Sequence, residues 1–98
     1  MALRDTYNFD LLVNEAENLA LDELEQQLER YDGQICRCND CVVDMAAMAL
    51  NSIKPLYRFS LLGSLYASHA MSEESYASSI REAVSGAIEK VRNNPSHD

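Results

Sequence analysis

All three cysteines of the chain lie within six positions, in the run Cys36-Arg37-Cys38-Asn39-Asp40-Cys41. The C-x-x-C half of this run has the spacing at which two thiolates reach one zinc ion, and a helix that starts at Cys41 offers backbone amides that stabilise thiolate charge. We therefore predict Cys36, Cys38 and Cys41 as metal ligands. Structural zinc takes four ligands, so another must come from elsewhere in the chain, from a dimer partner or from solvent. His69 and His97, the two histidines of the sequence, are candidates.

Two other interpretations of the cysteines stay open. The cluster can remain reduced without metal, or it can act as a redox switch, because neighbouring amides and Arg37 favour the thiolate. Catalysis is the weakest interpretation. A zinc hydrolase needs an open coordination position and a general base, and the sequence has no H-E-x-x-H and no H-x-E followed by a C-x-x-C. A nucleophile pair of a cysteine with His69 has no local motif, so we expect no enzymatic activity.

A second group of residues suits recognition of an anionic ligand. Lys54 and Arg58 flank Tyr57 in an otherwise acidic chain. They offer charge for a phosphate, donors for a guanine edge and an aromatic face on which a base can stack. The alternative is that Lys54 and Arg58 are the solvated ends of a turn and that Tyr57 belongs to the core.

A long amphipathic helix is predicted from about Asn8 to Tyr31. Apolar residues recur in it at intervals of three and four, and it ends at Asp32-Gly33, where glycine can take the left-handed conformation. Its length of about 36 Å exceeds what a compact chain of this size needs, since the expected radius of gyration is about 13 Å. Such a helix requires another helix beside it. Its apolar positions are Leu12, Ala16, Leu19, Ala20, Leu24 and Leu28.

The next helix is predicted to be the buried centre of the fold. It follows Asp40 as its cap, and Lys54-Pro55 ends it, because proline lacks an amide hydrogen. Its residues are apolar on almost every face, and one chain supplies little to cover them, which favours a homodimer. The apolar positions are Val42, Met45, Ala46, Met48, Ala49, Leu50 and Ile53.

The remaining chain divides into a mixed segment and a final helix. Extended structure is expected near Tyr57 to Ser60, followed by a short irregular or helical turn. The final helix is predicted to begin after Ser72 as its cap, with Met71 packed on Tyr76, and to end at Asn93-Asn94-Pro95. Its apolar stripe is Tyr76, Ile80, Ala83, Val84, Ala87, Ile88 and Val91.

These elements predict one all-α domain over residues 1–98, with three main helices plus a short irregular or extended segment, and with flexible ends at 1–7 and 93–98. Sixteen acidic and eight basic side chains give a net charge of −8, which argues against direct nucleic-acid binding, because that rests on lysine and arginine. The N-terminus has no apolar signal-peptide core, and no apolar run approaches a membrane span. We therefore expect no membrane contact and a cytoplasmic location, where thiols stay reduced.

The two groups of residues together resemble the late competence development protein ComFB family. The matching parts are the C-x-C-x-x-C run, then Asp44-Met45, then Ala49-Leu50-Asn51-Ser52-Ile53-Lys54-Pro55-Leu56-Tyr57. The resemblance is strong over residues 36–63. The chain differs from the bacillus-type members in lacking a fourth cysteine near its C-terminus. Leu61 and Leu62 stand where other members carry acidic residues before the glycine.

The resemblance implies a small, mostly helical homodimer that is ComFB-like and intertwined, with zinc bound by cysteines. It also implies a function, because related members without the cysteines are receptors for cyclic di-GMP and related cyclic dinucleotides. We therefore expect a non-catalytic signalling protein that binds cyclic di-GMP as a homodimer and acts on an unidentified regulatory protein. The alternative is a zinc-stabilised helical adaptor that binds another protein and no nucleotide. The predicted ligand-binding residues are Lys54, Tyr57, Arg58, Ser60 and Tyr66.

Overall fold

The computed structural model describes residues 2–31 and 33–95. Within them the chain forms four α-helices, two strands of two residues each and two short 3-10 turns. The all-α prediction is therefore confirmed, with one more helix than expected. The helices are α1 (Glu15–Glu29), α2 (Asn39–Asn51), α3 (Leu61–Met71) and α4 (Glu74–Asn93); the strands are β1 (Val13–Asn14) and β2 (Tyr57–Arg58); the 3-10 turns are Leu3–Asp5 and Phe9–Leu11.

The first helix is shorter than predicted. Asn14 is extended and its side chain accepts a hydrogen bond from the amide of Ala16, which starts α1 at Glu15. Before it, Asn8 caps the 3-10 turn Phe9–Leu11 in the same way. The prediction of a helix from Asn8 was therefore wrong, because two asparagines compete for local backbone amides. A helix of 15 residues spans only about 22 Å, so its length does not by itself require a partner.

The core lies where α1, α2 and α4 pack against one another. Met45 of α2 and Val84 and Ile88 of α4 have no measurable exposure. The predicted stripe of α4 is confirmed as its inner face, with Tyr76 and Ala83 at the edge of the core. The buried core residues are Ala16, Ala20, Leu24, Leu28, Ile35, Cys41, Met45, Ala49, Ile53, Ile80, Val84, Ala87, Ile88 and Val91.

Helix α2 is central but not buried all round. Cys41, Met45 and Ala49 form its inner face, whereas Val43 and Met48 are exposed. One protomer therefore leaves part of this helix uncovered, as expected from the little cover that a single chain supplies. The helix ends at Asn51, with Ser52 as its C-cap, three residues before the proline.

The segment after Pro55 forms both strand and helix. β2 pairs antiparallel with β1, with Val13 opposite Arg58 and Asn14 opposite Tyr57. Ser60 then caps α3, because its hydroxyl oxygen accepts a hydrogen bond from the amide of Gly63 at 3.2 Å. The extended structure expected near Tyr57 is confirmed, and a full helix replaces the expected irregular turn. Of the residues of α3, Ala67 is buried.

The start of α4 was also predicted one residue too early. Ser72 is the C-cap of α3, where its hydroxyl donates to the carbonyl of His69 at 2.7 Å, and Glu73 is the N-cap of α4. Asp32, the tail 96–98 and Met1 lie outside the described residues. Among the described helices, none combines the length and the apolarity needed to cross a membrane.

Candidate functional site

The loop between α1 and α2 carries the cysteines. The part of it that precedes them is anchored to the rest of the fold at Tyr31 and at Ile35. Gly33 has a φ of +81°, the left-handed conformation that glycine takes without strain. The hydroxyl of Tyr31 donates to Glu89 of α4 at 2.9 Å, and Arg92 lies over the ring of Tyr31 at 5.5 Å. Ile35 is buried in the core. The cysteine run therefore begins directly after a residue, Ile35, that is held in the core.

Cys38 is the N-cap of α2. It has extended dihedral angles, and its sulfur accepts a hydrogen bond from the amide of Cys41 at 3.4 Å. Asp40, the predicted cap, lies instead in the first turn, where its charge favours the helix N-terminus. The prediction failed because a sulfur atom takes the position that an oxygen usually takes.

The three predicted ligands come together in space. The sulfur atoms of Cys36, Cys38 and Cys41 all lie within 4.8 Å of one another. Thiolates around a tetrahedral ion at about 2.3 Å are about 3.8 Å apart, so small side-chain rotations suffice to bind one ion. Cys41 is 1% exposed, whereas Cys36 and Cys38 are exposed. The site therefore has one candidate ligand in the core and two at the protein surface.

The candidate histidines do not join this group within the described part of the chain. His69 lies on α3 and is largely exposed, with its Nε2 3.4 Å from a carboxylate oxygen of Glu73. His97 lies outside the described residues. The cluster that the structure describes thus consists of the three cysteines.

The second group of predicted residues surrounds β2. Asn14 fixes this strand, because its side-chain oxygen accepts from the amide of Leu56 at 2.8 Å as well as from that of Ala16. The amide of Glu15 in turn donates to the carbonyl of Leu56 at 2.9 Å. One asparagine therefore joins the start of α1 to the start of β2.

Arg58 is held by a carboxylate that the sequence did not indicate. Its Nε and Nη2 both contact Oε1 of Glu15, and the two side chains are 36% and 16% exposed. The hydrogen bond from Arg58, with a second from Asn18, holds the pKa of Glu15 below its ordinary value. No local signal reveals this pair, because 43 positions separate the partners.

The other predicted ligand-binding residues are accessible. Tyr57 is 59% exposed, which rules out its alternative assignment to the core, and Tyr66 is equally open. Ser60 is engaged as the cap of α3. Lys54 is exposed, and its carbonyl accepts from the hydroxyl of Tyr76 at 2.7 Å. Burial raises the pKa of Tyr76.

Comparison with known proteins identifies the family. The model of the family described as late competence development protein ComFB matches residues 13–95. The chain belongs to the ComFB family. The match spans β1 to the end of α4 and so includes both the cysteine cluster and β2.

A solved structure has the same fold. It is described as a structural characterization of the late competence protein ComFB from Bacillus subtilis, and it is 24% identical to this chain. The match covers 87% of this chain and 94% of that chain, with a TM-score of 0.57. A search of curated proteins finds no match. The likeness to the solved structure supports the ComFB fold and leaves the chemistry of each site to be argued from this chain.

We predict that Glu15→Gln destabilises the fold near neutral pH, because it removes the ion pair with Arg58. The loss should be only about 0.3 to 1 kcal/mol, because Arg58 is partly exposed and solvent screens the pair. Folding lowers the pKa of Glu15. The pair with Arg58 therefore contributes its full stability at pH values above the ordinary glutamate pKa of about 4.3. That contribution is lost as the pH falls through the lower pKa of the folded state. The difference between variant and wild type should therefore be smaller at about pH 3 than near neutral pH.

Urea denaturation at the two pH values measures this difference. Glu74→Gln is the matched control, since Glu74 also opens a helix and contacts an arginine, Arg81, but is 81% exposed. An equal loss of stability in both variants, or a loss in Glu15→Gln that does not change with pH, would contradict the account.

Proposed function

We propose that this protein is a non-catalytic, metal-braced homodimer that binds another protein. The observation that carries the proposal is the convergence of three sulfur atoms within 4.8 Å at the start of the central helix. Zinc is the metal we propose, because thiolate ligands favour it and structural zinc sites are built from such ligands. When bound, the ion holds the three thiolates together.

The brace acts on a short, defined piece of chain. Cys36 directly follows the buried Ile35, and Cys41 belongs to the first turn of α2. An ion shared by both would fix the angle at which the α1–α2 loop enters the helix. Metal binding of this kind contributes to folding directly, because the unfolded chain has no preformed site.

The homodimer is proposed from an uncovered apolar surface. Of the fourteen large apolar side chains that are exposed in the described residues, eleven lie in residues 3–12 and 57–66. Leu61 and Leu62 are 78% and 77% exposed. The two segments meet in a cleft of about 420 Å³ that is lined by Tyr7, Asn8, Phe9, Leu11, Leu12 and Phe59. We call these eleven side chains and the cleft the α3 surface.

The size of the α3 surface suits a second copy of the chain. At roughly 100 Å² of exposed area each, eleven side chains amount to about 1,000 Å², above the roughly 800 Å² per partner of a standard interface. The protomer measures 44 × 38 × 18 Å and has a radius of gyration of 15.6 Å, against about 13 Å for a compact chain of this length. A flat protomer that leaves these apolar side chains exposed can cover them by pairing about a two-fold axis.

A second candidate function is binding of cyclic di-GMP at Lys54, Tyr57, Arg58, Ser60 and Tyr66. The specific observation in its favour is the pair of exposed tyrosines beside Arg58, since exposed aromatic faces can stack bases. Arg58 can still bind such a ligand, because Glu15 occupies one side of the guanidinium, the side formed by Nε and Nη2. An arginine has five donors, and the outer fork stays available for a guanine edge or a phosphate.

We rank this candidate second because the charge of Arg58 is already compensated. The carboxylate of Glu15 reduces the local positive potential in a chain whose net charge is −8. A dianionic ligand therefore depends on a small number of direct contacts rather than on long-range attraction.

For the brace, we predict that a chelator lowers the melting temperature of the zinc-loaded protein by about 10 to 20 °C, if free zinc stands near 100 times Kd before chelation. Cys36→Ser should melt at the temperature of the chelated wild type and should not respond to the chelator. Cys36 suits the test because it is exposed, so the substitution leaves the core intact. Equal melting of the wild type with and without chelator would contradict the proposal.

For the dimer, we predict that Leu65→Glu converts the protein to a monomer at micromolar concentration, because pairing through the α3 surface would bury the new charge among the exposed apolar side chains of α3. Leu21→Glu is the matched control, since Leu21 is also an exposed helical leucine but lies on α1. Sedimentation equilibrium gives the mass of each variant. A Leu65→Glu protein that remains dimeric, or a wild type that is monomeric, would exclude this interface.

For the ligand, calorimetric titration with cyclic di-GMP should give binding that Arg58→Ala weakens by about 1 to 3 kcal/mol, or roughly 5- to 150-fold. Arg81→Ala is the control, because Arg81 also contacts a glutamate but lies on α4. Absence of heat and of any thermal shift at tens of micromolar ligand would remove this candidate and leave the adaptor.

A further inference from the structure

We propose that Cys38 and Cys41 are a reversible dithiol–disulfide pair, oxidised by a hydroperoxide, and that their oxidation releases the metal. The pairing rests on the geometry of the two residues. The release of metal rests in addition on the metal site proposed above.

The two residues occupy complementary positions at the start of α2. Cys38 is exposed at the N-cap, and its carbonyl accepts a hydrogen bond from the amide of Val42 at 3.0 Å. Rotation of its side chain leaves that backbone bond in place and breaks the cap bond that its sulfur accepts from the amide of Cys41. Cys41 is three residues further on, with its side chain in the core. Its amide already donates to the sulfur of Cys38 at 3.4 Å, which places the first sulfur directly over the turn that contains the second.

The distance between the sulfur atoms allows a bond. They lie within 4.8 Å of each other, and a disulfide needs about 2.05 Å. Rotation about the side-chain bonds of the capping residue can close that gap while α2 stays in place. A solvent-accessible cysteine next to a second cysteine is also the arrangement of a redox-sensitive site, in which the first sulfur meets the oxidant and the second then forms the disulfide with it.

Cys36 is the weaker partner for either sulfur. One residue separates it from Cys38, so a bond between them would close a very small ring. It lies five positions before Cys41 and outside the helix, whereas Cys41 lies in the helical turn that Cys38 caps. The sulfur of Cys36 is also within 4.8 Å of that of Cys41, so a Cys36–Cys41 bond is the competing outcome that the test must distinguish.

The chemistry balances in two steps. The thiol of Cys38 and a hydroperoxide, ROOH, give the sulfenic acid of Cys38 and the alcohol ROH, so sulfur is oxidised and the O–O bond is reduced. The thiol of Cys41 then attacks the sulfenic sulfur, the S–S bond forms, and water leaves with the proton of Cys41. When both sulfurs start as metal-bound thiolates, solvent supplies the two protons that end in the alcohol and the water. A dithiol reductant reverses the result by thiol–disulfide exchange.

Oxidation would remove two of the three protein ligands at once. Cys36 alone cannot hold an ion that three thiolates held, because thiolates and not disulfide sulfurs are the zinc ligands. The expected product is therefore an oxidised protein and about one equivalent of free metal for each disulfide.

The test exposes reduced, zinc-loaded protein to hydrogen peroxide and follows two signals in parallel. After unreacted thiols are alkylated, mass spectrometry of peptides shows which cysteines are joined in a disulfide. A chromogenic chelator measures the free zinc. We expect a disulfide between Cys38 and Cys41, with Cys36 alkylated, and loss of the disulfide on treatment with a dithiol reductant.

Two variants make the assignment specific. Cys36→Ser should form the disulfide as the wild type does. Cys38→Ser should form none, and it should stay folded, because serine is a good helix cap and the position is exposed. Circular dichroism before oxidation checks the fold of both variants.

The outcomes separate the inference from the proposed metal site. A wild type that holds zinc but forms no disulfide, or forms one through Cys36, overturns the inference and leaves the metal site standing. A wild type that holds no zinc yet forms the Cys38–Cys41 disulfide overturns the metal site and supports the pair. Formation of the disulfide without release of zinc from the loaded protein overturns the coupling between them.

Discussion

The side chain of Cys41 belongs to the core and to the cysteine cluster at the same time. It is 1% exposed, it lies on the face of α2 that carries Met45 and Ala49, and its sulfur is within 4.8 Å of two exposed sulfurs. Helix α2 packs against both α1 and α4. The position of the Cys41 sulfur, and with it the geometry of the cysteine cluster, therefore depends on how the three helices pack. Cys38 adds a second constraint, since its sulfur accepts the amide of Cys41 and so marks where the helix begins.

The opposite part of the protomer is built differently. Asn14 joins β1, the start of α1 and the start of β2 through one side-chain oxygen. Beyond β2 the chain continues into α3, which is apolar but lies mostly outside the core, with Ala67 buried. The metal-binding chemistry that we propose therefore lies near the core, whereas the surface proposed for a second copy lies on residues that a single protomer leaves exposed.

The sequence predicted best what depends on neighbours along the chain. The stripe of α4 from Ile80 to Val91, the convergence of the cysteines and the left-handed Gly33 all follow from spacing or from one residue type. It failed where a side chain competes with the helix for backbone amides. Asn14 shortens the first helix, and Cys38 rather than Asp40 caps the second. The contact of Arg58 with Glu15 could not be predicted, because it joins elements that meet only after folding.

Elemental analysis of the protein purified without chelator decides whether the three cysteines hold one metal ion. We expect about one equivalent of zinc per chain, and a clear loss in Cys36→Ser purified in the same way. Less than about 0.3 equivalent in the wild type, or the same content in the variant, would contradict this expectation.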